Sequence, residues 1–160
     1  MPDAPVPEQS TASPAPAAVP LELEYHAFIS KIDQCPAAAT MRCSEPAFRA
    51  VHADLNHTDN FLPQAITQPE RLAKASKRKQ CGLWSLSLYS DPDQLRSLIL
   101  KVEETSPEFR KVVGDWYAKM DVQAHHGRRT QEDGFGHYNF YQYTNFDPHA
   151  SVIEHAPLFP

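Results

Sequence analysis

Apolar and polar positions alternate most regularly in the middle of the chain. Over Cys81–Tyr89, Trp84, Leu86 and Leu88 fall on one side, and Leu83, Ser85, Ser87 and Tyr89 on the other, which predicts a strand with one apolar face. A helix is predicted immediately after it. Ser90 or Asp91 can cap its free N–H groups and Pro92 suits its first turn. Leu95, Leu98, Ile99 and Val102 then follow at i, i+3, i+4 and i+7 as a single stripe. Ser106-Pro107 opens a shorter helix over 107–113, which Gly114 ends.

The flanking segments read less sharply. Leu21, Leu23 and Tyr25 alternate as in a strand, while Tyr25, Phe28, Ile29 and Ile32 have helical spacing; the helix is favoured. Residues 35–46 read as a loop and Phe48–His52 as a strand, with Phe48, Ala50 and His52 on the side opposite Arg49 and Val51. The polar, proline-bearing stretch 53–80 is expected to be a long loop with at most a short helix around 69–76. Residues 115–122 and 137–144 read as strands joined by a polar loop over 123–136, most simply as an antiparallel hairpin. From Asp147 onward the chain is expected to wrap the surface. Together these elements predict an α+β domain over 21–160: a small, mostly antiparallel sheet packed against one main helix. Its core would hold Trp84, Leu86, Leu88, Leu95, Leu98, Ile99, Val102, Trp116, Ala118 and Met120. Residues 1–20 hold six prolines and five alanines and are expected to form a disordered tail, available as a docking peptide.

Composition narrows the function classes. In 160 residues, 41% are hydrophobic, yet no apolar run reaches the ~18 residues of a membrane span. The net charge of -5 is not that of a typical nucleic-acid binder. The charge is nevertheless uneven: Arg71, Lys74, Lys77, Arg78 and Lys79 stand within nine positions without an acid. With Arg128 and Arg129, the Lys77-Arg78-Lys79 run is a candidate contact for an acidic partner or a nucleic acid, and the late aromatic strand would offer stacking surfaces. The N-terminus lacks a basic segment followed by an apolar one, which points to the cytoplasm. Three cysteines, at 35, 43 and 81, form no even framework, so thiols rather than disulfides are expected. Eight histidines show no zinc-ligand spacing, and no metal site is assigned.

The candidate ligand-binding set is Arg49, His52, Ser85, Ser87, Tyr89 and Gln142. A guanidinium and hydroxyls on neighbouring strands suit a phosphate or a ribose. The unit Leu86–Asp91 followed by a helix resembles the strand–helix step of ADP-ribosyltransferases. In one branch of that superfamily an arginine, a Ser-x-Ser strand and a glutamate frame the nicotinamide cofactor. The resemblance implies that Arg49, Ser85 and Ser87 fill the first two roles and that NAD is the ligand; Gln142 stands where the glutamate is wanted. Phe48–His52, Cys81–Ser87 and Gly136–Tyr143 also resemble strands of a loose set of short bacterial proteins of unassigned role. Two readings result. One is a small non-enzymatic interaction or accessory module with a protein partner, in a bacterial defence or toxin system. The alternative is an ADP-ribosyltransferase-like enzyme or dinucleotide-binding protein. Convergence of Arg49, Ser85 and Ser87 on one cleft with a carboxylate would favour the second reading.

Overall fold

A computed structural model describes residues 21–160; the predicted disordered tail lies outside the described residues. The domain is α+β. Its six-stranded sheet has the order β4-β5-β2-β1-β3-β6, and every neighbouring pair is antiparallel. The strands are β1 (Glu45–Val51), β2 (Leu86–Tyr89), β3 (Trp116–Val122), β4 (Gly127–Arg129), β5 (His137–Gln142) and β6 (Val152–Pro157). The helices are α1 (His26–Ile29), α2 (Gln64–Thr67), α3 (Pro69–Lys74), α4 (Lys77–Leu83), α5 (Pro92–Glu103), α6 (Phe109–Val113) and α7 (Pro148–Ser151).

The main helix forms for the predicted reasons. The Asp91 side chain accepts from the Asp93 N–H at 2.7 Å, Pro92 occupies the first turn, and Leu95 and Ile99 are buried. It does not cover the expected face. Leu86 and Leu88 pack with Ala47, Val51, Ala118, Met120, Tyr138 and Phe140 on the opposite side of the sheet, under Phe61 and Phe146. Leu95 and Ile99 instead pack with Tyr89 and, at the edge of that cluster, Phe48, Ala50 and Tyr117. The helix therefore lies over the hydroxyl-bearing face of β2, and the expected single core divides among three clusters.

Other expectations change as well. The predicted nine-residue strand shortens to Leu86–Tyr89, because Cys81–Leu83 end α4. Ser76 starts that helix by accepting from the Lys79 N–H at 3.4 Å, and good helix formers carry it onward. Trp84 leaves the strand face and stacks at 4.3 Å on Phe28, in a side cluster with Ile29, Ile32, Ala65 and Tyr141.

The expected hairpin of 115–122 with 137–144 is absent. The intervening loop contributes β4, which pairs with β5, while β3 lies between β1 and β6. The segment after Asp147 is not a surface wrap, since it supplies β6 and the fully buried Leu158. Nor is 53–80 one open loop: it holds α2, α3 and most of α4. Its start is organised by buried Asn60, whose Oδ1 accepts from the His52 N–H while its Nδ2 donates to the carbonyls of Asp54 and Leu55.

Cys35 and Cys81 form a disulfide across 46 residues of sequence, tying the segment after α1 to α4. The odd cysteine count left only Cys43 free, so parity did not exclude a bridge. Among the described residues no helix is long and apolar enough to cross a membrane.

Candidate functional site

The sheet opens between β1 and β2. Their ladder holds the pair Phe48↔Tyr89, whereas β1 and β3 match residue for residue from Glu45↔Val122 to Val51↔Trp116. At the opening, the Arg49 guanidinium replaces strand pairing. Its Nε donates to the Asn60 carbonyl at 2.6 Å, Nη1 to the Ser87 carbonyl at 3.0 Å and Nη2 to the Leu62 carbonyl at 3.1 Å. Three of its five N–H groups are thus engaged in these bonds. Loss of hydration lowers the Arg49 pKa to about 10, partly offset by the nearby Tyr89 and Tyr25 hydroxyls, and it stays protonated at neutral pH.

The opening leads into a cavity of about 120 Å³. One wall is apolar, from Leu95 and Ile99 of α5 and Phe109, Val112 and Val113 of α6. The other carries Arg49, His52, Asp59, Ser85, Ser87 and Tyr89, with Gln64 and Gln68 at the side. Five of the six predicted ligand residues therefore converge on one cleft. An apolar cavity of ~150 Å³ accepts benzene, so the space is on the scale of one aromatic ring.

The five are not equally free to act. Ser85 is buried and its Oγ donates to the Gly82 carbonyl at 2.6 Å, closing the end of α4. The His52 ring stacks on His57 at 3.9 Å, and burial first, then His57, holds its pKa below the usual imidazole value. Burial pushes the Tyr89 hydroxyl up to about 12 against the pull of Arg49, so it stays a neutral phenol. Ser87 is half-buried.

Gln142 lies elsewhere. It is buried opposite Gly127 in the β4–β5 ladder, and its Oε1 has no partner among the described residues. The β5 residue brought to the site is His137, opposite Tyr89 in the ladder. Its Nε2 is 3.1 Å from Ser87 Oγ, and its Nδ1 is 3.5 Å from Asp133 Oδ2. Burial lowers the His137 pKa and Asp133 raises it, with burial the larger effect. Alternation alone would not find this pair, because it depends on the β2–β5 register.

A second, larger groove of about 1370 Å³ meets the first at Gln64 and Ser87, which line both. Lys31, Arg71, Lys77, Arg78 and Lys79 give it a basic rim, and His137, Asn139 and Thr130 stand on its far side. Arg128 and Arg129 do not join this lining, contrary to a common basic face. Arg128 donates to the Thr40 hydroxyl and carbonyl, both at 2.9 Å. Arg129 is spent on Glu45 and Glu132 and lies over the Tyr138 ring. Among the described residues no group of three or more His, Cys, Asp or Glu side chains could hold a metal ion.

The chain matches no protein-family model, no curated protein and no solved structure.

Proposed function

We propose that the chain binds a nicotinamide dinucleotide, with the nicotinamide ring in the smaller cavity and the pyrophosphate along the basic groove. The observation that carries this reading is the convergence of Arg49, Ser85, Ser87 and Tyr89 on a cavity that shares Gln64 and Ser87 with the groove lined by Lys77, Arg78 and Lys79. The apolar wall suits a flat ring. The Arg49 guanidinium and the Tyr89 hydroxyl suit its carboxamide or the adjoining ribose. The basic rim suits phosphate, with a salt-dependent contribution. Gln142, which stands for the glutamate in the resemblance, is remote from the cleft, and the carboxylate that lines the cavity is Asp59. The interaction-module reading leaned on the lack of a complete catalytic set, on the Pro/Ala-rich tail, which lies outside the described residues, and on exposed basic and aromatic loops, of which the aromatic Tyr138, Phe140, Tyr141, Tyr143 and Phe146 are buried, so the cleft supports the alternative better.

Calorimetric titration with the oxidised dinucleotide tests the proposal. Saturable binding tighter than about 1 mM is expected, weakening as salt rises. Charge reversal at Lys77 and Lys79 should weaken it at least ~10-fold, a cost of about 1.4 kcal/mol. No heat at about 1 mM ligand overturns it.

A further inference from the structure

Ser87 and His137 line the larger groove on β2 and β5, hydrogen-bonded to each other, with Asp133 in ion-pair range behind the imidazole. Ser87 Oγ and His137 Nε2 are 3.1 Å apart, within the reach required of a nucleophile and its base. Asp133 stands behind the ring, Oδ2 to Nδ1 at 3.5 Å, a distance common for such groups before substrate binds. Its other oxygen, Oδ1, accepts the backbone N–H groups of Phe135 at 2.8 Å and His137 at 3.1 Å, so the carboxylate is anchored to the same turn that delivers the imidazole. A proton on Nδ1, facing Asp133, leaves Nε2 free to accept from the serine. Directly opposite Ser87 in the ladder is Asn139, whose Nδ2 makes no hydrogen bond among the described residues and which lines the same groove.

From this juxtaposition we infer that Ser87 is a nucleophile for acyl transfer, with His137 as its general base, Asp133 as a positioning residue and the Asn139 amide as oxyanion donor; the substrate is a carboxylic ester bearing an anionic group. Ser87 Oγ attacks the ester carbonyl carbon as its proton passes to His137 Nε2. The tetrahedral oxyanion collapses, the bond to the leaving oxygen breaks, and His137 returns the proton to that oxygen. Water then attacks the acyl-serine with the same base, releasing the carboxylic acid and restoring Ser87. The anionic preference comes from the Lys77–Lys79 rim of the groove. This chemistry does not depend on dinucleotide binding.

The test is inactivation by a fluorophosphonate probe, which reports serine nucleophilicity without any dinucleotide. The full chain should be labelled at Ser87, located by mass spectrometry, and Ser87→Ala should remove the label. His137→Gln should slow labelling at least ~100-fold, the lower range for a general base. Asp133→Asn keeps Oδ1 for the turn; it should slow labelling at saturating probe while leaving half-saturation unchanged, which loss of structure would not do. p-Nitrophenyl acetate should release a burst of nitrophenol in the parent protein and not in Ser87→Ala. Absence of labelling in the parent protein, labelling at another residue, or a rate unchanged in His137→Gln overturns the inference. None of these results bears on the calorimetric titration, so the two proposals fail separately.

Discussion

The two sides of β1 solve the same problem in different ways. Toward β3 the strand is matched residue for residue along its whole length. Toward β2 it keeps the pair Phe48↔Tyr89, and the Arg49 guanidinium takes the Ser87 carbonyl of β2 and the Asn60 and Leu62 carbonyls of the segment after β1. Buried backbone groups must be paired, so a sheet can open only where something else supplies the hydrogen bonds. The closed side gives rigidity and no access. The open side gives a cleft, and it depends on one cationic side chain.

The largest expected effect is alkaline. Tyr89, Tyr138 and Tyr141 are each pushed from 10.0 to about 12, chiefly by burial. Their stabilising contribution is complete below pH 10, where both states are protonated, and is lost as pH rises toward 12. Arg49 acts oppositely: burial lowers its pKa to about 10, so above pH 10 the unfolded chain holds the extra proton and stability rises. Three groups outweigh one, and a net loss of about 5 kcal/mol is expected over that interval. Urea midpoints and phenolate absorbance measured together would check it. Unchanged midpoints through the tyrosine titration would show that the phenols ionise without unfolding.

Next in size is Arg49→Met. It leaves the carbonyls of Asn60, Leu62 and Ser87 without their donor, at ~1–3 kcal/mol each where water cannot replace it. Partial access through the cleft brings the expected total to about 4 kcal/mol in urea unfolding. Tyr117→Phe on the closed side leaves every backbone pair intact and should cost no more than about 0.5 kcal/mol. Equal costs for the two variants would mean that the gap is held by something other than Arg49.

Much of the closed side was legible in the sequence, and the open side was only partly so. Alternation found the Phe48–Val51 part of β1, all of β3 and the second half of the Cys81–Tyr89 strand, and a capping Asp with a 3.6-residue stripe found α5; Glu45–Ala47 of β1 had read as loop or been left unassigned. Each is a local pattern. Alternation cannot say which face a helix will choose. Here α5 took the side of Ser87 and Tyr89 because Phe48, Ala50 and Tyr117 supply apolar surface there.

The candidate set had the same strength and weakness. Arg49, His52, Ser85, Ser87 and Tyr89 were found through residue types on neighbouring strands. Gln142 was chosen from the right strand at the wrong end: β5 pairs with β2 from Leu86↔Phe140 to Tyr89↔His137, which sets Gln142 beyond β2 and His137 beside Tyr89. The Cys35–Cys81 bridge spans 46 residues, and nothing local marks it.

A pair of glycine variants in one turn separates the site from the fold most cleanly. Gly136 has φ 69°, in the left-handed region that favours glycine, and its carbonyl accepts from the Ser90 N–H. A Cβ there would strike Gln94 Oε1 and come within 2.9 Å of Ser90 Oγ. Gln94 is a flexible side chain and can move, so Gly136→Ala should cost only about 1–2 kcal/mol. The residue immediately precedes His137, however, and closes the turn that Asp133 organises. A small backbone adjustment there moves the imidazole away from Ser87 Oγ, and labelling of Ser87 should fall far more than stability does. Gly134, two residues earlier, has nothing within 4 Å of its ideal Cβ, so Gly134→Ala should leave both stability and labelling near the parent values. If the two variants label equally fast, the turn does not position His137, and the open side of the sheet holds its histidine by packing alone.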